Sequence, residues 1–347
     1  MPDQPQFTIP PVEGGGGTCF LSGTRIAAPE GSVCVEDLSV GALVLTATGE
    51  SRPIRWLGHR GIDCTRYRDP SEVWPYRIRA GAFADGTPQR DLWLSRGHSI
   101  FIDGSLIQVE RLVNGATIAQ VPREHVEYWH VELDSHDVLL AEGLPAESYL
   151  SVGNRPLFSN SGTLVEAFPN FEAKYDADET CVPLAKEGPV LEGAKAALLE
   201  RAKALGYRLT DDADLHIRAD GVRIEPMRVS PTRWEFSIPL LADAIELRSH
   251  SFVPAHIDPA SDDVRTLGVG VANLELDGVS ASLEEAPELV GWHPLEKDAT
   301  GRQWRWTVGC GSLPARTRSV VLELCHLGPH YWTQLAQAVA PSLDATG

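Results

Sequence analysis

The chain has 347 residues, with 30 Lys+Arg against 48 Asp+Glu for a formal charge of −18, and 43% of it is apolar. At roughly 100–200 residues per domain this length suggests two domains with a core each. The acid excess argues against nucleic acid and anionic lipid as partners, because both are held chiefly by Lys and Arg clusters. No run of about 18 apolar residues is present to span a membrane. The start, MPDQPQFTIPPVEGGGGT, lacks the basic and apolar regions of a secretory signal. The default expectation is therefore a cytoplasmic chain, with non-classical export as the alternative. Six cysteines are too sparse for a disulfide framework.

In chain order, residues 1–18 hold four Pro and the run Gly14–Gly17, and read as a flexible leader. From Cys19 to about Leu150, short apolar runs are broken by turn residues. They include Thr24–Ala27, Ala42–Leu45, Ile54–Leu57, Ser99–Ile102 and Val126–Leu133. The last run alternates, with Val126, Tyr128, His130 and Glu132 on one face. Asp103–Gly104 and Asn114–Gly115 read as hairpin turns. Charge usage changes near residue 160: the first 160 residues carry 13 Arg, no Lys and 20 acids, a net −7, and the rest carries −11. Lys174 comes first, inside the polar stretch Asn170–Thr180, so 161–206 is expected to be a linker.

That linker contains one predicted helix, from about Val190 to Leu205, opened by Pro189 and closed by Gly206. Leu191, Ala194, Leu198 and Leu205 share a face of it. Strands are then predicted over Asp214–Arg218, Val222–Glu225, Trp234–Ile238, Ala244–Arg248, Leu267–Leu276, Trp304–Val308 and Ser319–Leu324. Such short, evenly spaced strands predict a β-sandwich over 207–333, followed by a tail at 334–347. The chain is thus expected to be mainly β.

Three stretches carry chemistry. Cys19 follows the glycine run, Ser95-Arg96-Gly97-His98 lies between apolar runs, and His130, Asp134, His136 and Asp137 sit in or after the alternating strand. A thiol, a hydroxyl three residues before an imidazole and further imidazoles suit acyl transfer: a thiolate attacks, an imidazole moves the proton, a hydroxyl steadies the oxyanion. Eleven His residues allow many accidental pairings, so Cys19 and His98 could equally be core residues. His130 is expected to face the core or a neighbouring strand. Cys19, His98, His130 and His136 lack paired-ligand spacing, so no metal and no cofactor is expected. Cys34, Cys64, Cys181, Cys310 and Cys325 read as bystanders.

Order and flanking residues say more. The blocks are CFLSGTRIAAPEGSVCVEDLSVGALVLT at 19–46, RDLWLSRGHSIFIDG at 90–104, RLVNGATI at 111–118 and YWHVELDSHDVLLAEGLPAESYL at 128–150. Together they resemble the Hint module of hedgehog autoprocessing domains and inteins, in particular the bacterial stand-alone branch, over 19–160. The resemblance implies an all-β, horseshoe-like module. Cys19 would be the nucleophile that attacks the Thr18 carbonyl and converts the Thr18–Cys19 peptide to a thioester. His98 would protonate the scissile nitrogen, and Ser95 stands where a threonine is usual. His136 falls at a late-strand histidine.

The intein His-Asn end aligns with Glu147–Ser148, so splicing is not expected. Asn160–Ser161 offers another asparagine, without a preceding histidine. Where hedgehog domains use an aspartate to activate a sterol, His59 aligns as a possible accessory residue, and no sterol-recognition extension is recognisable. The implied activity is a single-turnover cysteine autoprotease whose partner is itself, with water or a small nucleophile resolving the thioester. The alternative is a non-catalytic binding or adhesion protein with an inert Hint fold. Its aromatic clusters at Trp292, Trp304–Trp306 and Tyr331–Trp332 would stack on carbohydrate or fill a core.

Overall fold

A computed structural model describes residues 18–150, 155–161, 180–239, 241–284, 290–326 and 328–334. The leader before Thr18, most of the polar connector and the tail after residue 334 lie outside these residues. The chain divides into two compact units between Ala202 and Lys203. Among the described residues no helix is long and apolar enough to cross a membrane.

The first unit is built from β1 (Phe20–Leu21), β2 (Arg25–Ile26), β3 (Val33–Cys34), β4 (Leu43–Leu45), β5 (Ser51–Pro53), β6 (Trp56–Asp63) and β7 (Tyr76–Ile78). These continue into β8 (Leu92–Leu94), β9 (Ser99–Ile102), β10 (Ser105–Gln108), β11 (Ile118–Gln120), β12 (His125–Glu132), β13 (Val138–Ala141) and β14 (Leu144–Glu147). One six-stranded antiparallel sheet has the order β11-β7-β8-β1-β12-β6, a second has β10-β9-β14-β13-β2-β3, and β4 pairs with β5. Ile78, Leu92 and Leu94 from the first sheet share a core with Ile26, Ile100, Ile107 and Leu139 from the second.

Local chemistry explains the turns. Asp103 and Gly104 take φ of 46° and 79°, both positive, and bring Ser105 opposite Ile102 in a two-residue hairpin. Asn114–Gly115 is not a hairpin, because β10 and β11 on either side of it lie in different sheets. Its asparagine is buried and caps the loop instead, accepting the N–H groups of Ala116, Thr117 and Ile118.

The predicted helix is α1 (Pro189–Ala204). Rather than bridging open space, its Leu191, Ala194 and Leu198 pack into the first unit's core. The segment before it joins the second sheet's edge: Leu106 N–H donates to Pro183 O and Ala185 N–H to Leu106 O, each at 2.8 Å. Part of the expected linker is therefore structure of the first unit.

Among its described residues the second unit holds two main antiparallel sheets and a two-stranded one that pairs Tyr207–Thr210 with Tyr331–Gln334. The smaller main sheet runs Val222–Ile224, His216–Ala219, Ile245–Arg248, Cys310–Leu313 in spatial order. The larger centres on Arg233–Ser237, Ser319–Cys325, Gly270–Leu276 and Gln303–Trp306. Ile217 and Leu247 from one meet Phe236, Val271 and Leu322 from the other in a single core, as in a sandwich. Trp292, Trp304 and Trp306 are buried in this unit's cores.

If α1 stabilises the first unit, Leu198→Ala costs it about 2–5 kcal/mol. The expected readout is faster hydrogen exchange at core amides such as Ile100 and Ile107. Unchanged protection there would show that the helix is a spacer.

Candidate active site

The register of β1 decides what surrounds Cys19. Phe20 lies opposite Trp129 of β12 on one side and Leu94 of β8 on the other. Antiparallel partners run in opposite directions, so one step back puts Cys19 opposite both His130 and Ser95. The contacts agree: Cys19 Sγ lies 3.3 Å from His130 Nε2, and Ser95 N–H donates to Cys19 O at 2.9 Å. Cys19 N–H donates to Ser95 Oγ at 2.8 Å. The nitrogen of the Thr18–Cys19 peptide is thus held by a side-chain hydroxyl where an ordinary ladder would offer a carbonyl.

Ser95 to His98 form a turn closed by His98 N–H donating to Ser95 O at 3.1 Å. Here the chain leaves the first sheet after Leu94 and enters the second at Ser99. The three-residue spacing places the hydroxyl on the Cys19 N–H and the imidazole beside the Cys19 backbone. The His98 ring packs on Phe20, centroids 4.4 Å apart, beside the backbone of Cys19 and Glu147. No hydrogen bond of good geometry reaches either ring nitrogen, although that backbone lies beside them.

Cys19, Ser95, His98 and His130 are each at most 1% exposed, and Thr18 is buried with them. Burial pushes the Cys19 thiol well above its usual range, against the Ser95 hydroxyl. Burial also lowers His98 to about 4, although the Glu147 carboxylate opposes it. His130 falls well below its ordinary value, through burial first and the neighbouring His98 second. Near neutral pH the site is a neutral thiol between two neutral imidazoles.

The other sequence-selected residues stand apart from the thiol. His136 Nδ1 accepts the N–H of Cys181 at 3.0 Å, and its Nε2 faces Glu147 Oε2 at 3.5 Å. Burial lowers the His136 pKa, and the Cys181 and Glu147 side chains act against it. Only a neutral ring can accept at Nδ1, so the hydrogen-bond geometry favours the neutral form with Nε2–H towards Glu147. His59 pairs with Trp129, one residue out of phase with His130, and its ring packs against that Trp at 5.1 Å. The Asn160 side chain ties β6, accepting His59 N–H and donating to Leu57 O. Ser148 is buried, and its hydroxyl accepts the N–H of Asp137.

His130, expected only to face the core or a neighbouring strand, is the further residue at the thiol. Its ring is flanked by Tyr149 and Phe158, with centroids 4.8 and 4.6 Å away. Gly58 lies opposite it across the ladder, where a Cβ would strike the Trp56 ring and come within 3.0 Å of Phe158. The available signal was parity: His130 shares a face with Tyr128, and that face meets β1. Among the described residues no group of three or more His, Cys, Asp or Glu is arranged to hold a metal ion.

Residues 18–153 match the family model for the Hint domain. Similar solved structures include the N145AA form of the MchDnaB-1 intein, at 16% identity over 38% of this chain and 99% of that one, with a TM-score of 0.29. The gp41-1 intein gives 13% identity over 39% of this chain and 100% of that one, with a TM-score of 0.28. A bacterial intein-like domain from Clostridium thermocellum gives 12% identity over 38% and 98%, with a TM-score of 0.27. No curated protein matches the chain. Residues 18–153 are a Hint domain, a module of the self-processing kind.

The buried imidazoles set a pH dependence. With His98 lowered to about 4 in the fold and near 6.5 when unfolded, the unfolded chain binds more protons between those values. Stability is therefore full above 6.5 and lost as pH falls towards 4. Between pH 7 and 4, urea unfolding of the wild type is expected to lose about 3 kcal/mol more than that of His98→Gln. Equal losses would show that His98 is not held neutral by burial.

Proposed function

We propose that the Hint domain cleaves the chain at Thr18–Cys19 by an N-to-S acyl shift, followed by attack of water or another small nucleophile on the thioester. The observation that carries this reading is the pairing at Cys19: its Sγ lies 3.3 Å from His130 Nε2 while its N–H donates to Ser95 Oγ. Burial keeps the thiol protonated, so it needs a base. His130 Nε2 takes the Sγ proton and Sγ bonds to the Thr18 carbonyl carbon. As the C–N bond breaks, the Cys19 nitrogen gains one proton, relayed from His130 through His98 and leaving an amine. The net proton transfer is from sulfur to nitrogen. Water then adds to the thioester, releasing the Thr18 carboxylate and restoring the thiol.

Cleavage is favoured over splicing by the far end of the domain. The aligned His-Asn positions hold Glu147 and Ser148, and neither can cyclise as asparagine does. Asn160 is occupied in holding β6. One observation favours a second reading, an inert Hint fold serving a non-catalytic binding protein: every group at the site is buried, and an external nucleophile must reach it.

Intact mass of the full chain separates the two. The wild type is expected to lose the segment ending at Thr18, faster with added thiol, whereas Cys19→Ala stays whole. His130→Ala is expected to slow the loss by about 10²-fold or more, the usual worth of a general base. Wild type and Cys19→Ala both remaining uncleaved, with and without thiol, would establish the inert reading.

A further inference from the structure

Glu147 is a fully buried carboxylate that the reaction above does not use. Strand pairing places it: Ala146 of β14 lies opposite Ile100 of β9, so Glu147 lies opposite Ser99, the residue after His98. Its Oε1 accepts the Ser99 N–H at 2.5 Å, and its Oε2 faces His136 Nε2 at 3.5 Å. His136 is held in turn by the Cys181 N–H on its other nitrogen. Oε1 is hydrogen-bonded and Oε2 faces an imidazole, which gives the group a defined place beside the His98 ring.

We infer that Glu147, clamped by Ser99 and His136, is the positioning residue that fixes His98 and stabilises its imidazolium while the proton passes from Sγ to the Cys19 nitrogen. The inference rests on the processing reaction proposed above. The ring lies beside the backbone of Cys19 and of Glu147; His98 can take a proton on one nitrogen and release it from the other, and between these events the ring is positive. Burial opposes that charge most strongly. Of the groups facing the ring, Cys19 offers its backbone, His130 and His136 are neutral imidazoles that give the charge no support, and Glu147 is the charged group that favours it. This also gives His136 a task away from the thiol: it orients the carboxylate that acts on His98.

A purely structural Glu147 would merely tie β14 to β9, and charge removal separates the two roles. Glu147→Gln keeps an acceptor for Ser99 N–H and loses the charge. Thiol-induced cleavage of the full chain is expected to slow about tenfold in Glu147→Gln, equivalent to one pKa unit on His98. In a His98→Gln background the same change is expected to have no further effect, because the group it acts through is gone. The His98 ring titration, followed by NMR and assigned by its loss in His98→Gln, is expected to move to lower pH. The same slowing in both backgrounds, or an unmoved His98 titration, would overturn the inference. If Glu147→Gln does not fold, His136→Gln, which frees Oε2 alone, must show the same dependence on His98. A wild type that never cleaves would refute the processing reaction, and the titration, which needs no turnover, still decides the coupling.

Discussion

Everything at the candidate site depends on β1 being held between two neighbours. A strand of two residues, Phe20–Leu21, contributes few ladder bonds, yet β8 and β12 flank it. That double pairing fixes the phase of the chain at Cys19, and phase decides which side chains meet. A slip of one residue would turn the thiol to the opposite face and present Thr18 or Phe20 to His130. Phe20 resists the slip, since it is buried in the common core and packs on His98. The apolar core and the chemistry are therefore coupled through one side chain.

Burial then sets the charge state. Removing water from Cys19, His98 and His130 makes each charged form costly, so the resting site is neutral and the thiol is not a ready nucleophile. A site built this way reacts only when a proton can move along a defined path, because no separated charge is tolerated for long. The same burial makes the Glu147 carboxylate count for more than it would in water. The late histidine and the segment around Cys181 brace that carboxylate, so chain beyond the Hint blocks contributes to their surroundings.

Much of this was legible in the sequence, for identifiable reasons. The hydroxyl-to-imidazole spacing of Ser95 and His98 is local, so one turn brings both to Cys19. The helix was legible from Pro189, Gly206 and its apolar stripe, but what the stripe packs against depends on the whole first core. Asn114–Gly115 has hairpin composition, and only the assignment of β10 and β11 to different sheets shows it to be a capped loop. His130 was hidden because its value comes from register with Cys19, 111 residues away. His59 was drawn to the site by alignment, and strand parity takes it to the neighbouring face.

The central claim is that the fold aims the Cys19 thiol at the Thr18 carbonyl. Hydroxylamine, a small nucleophile that intercepts thioesters, tests it most directly on the intact chain. The account predicts a released segment ending in a hydroxamate on Thr18, formed by the wild type and abolished in Cys19→Ala. Absence of that product from wild type, or an equal yield from Cys19→Ala, would contradict it.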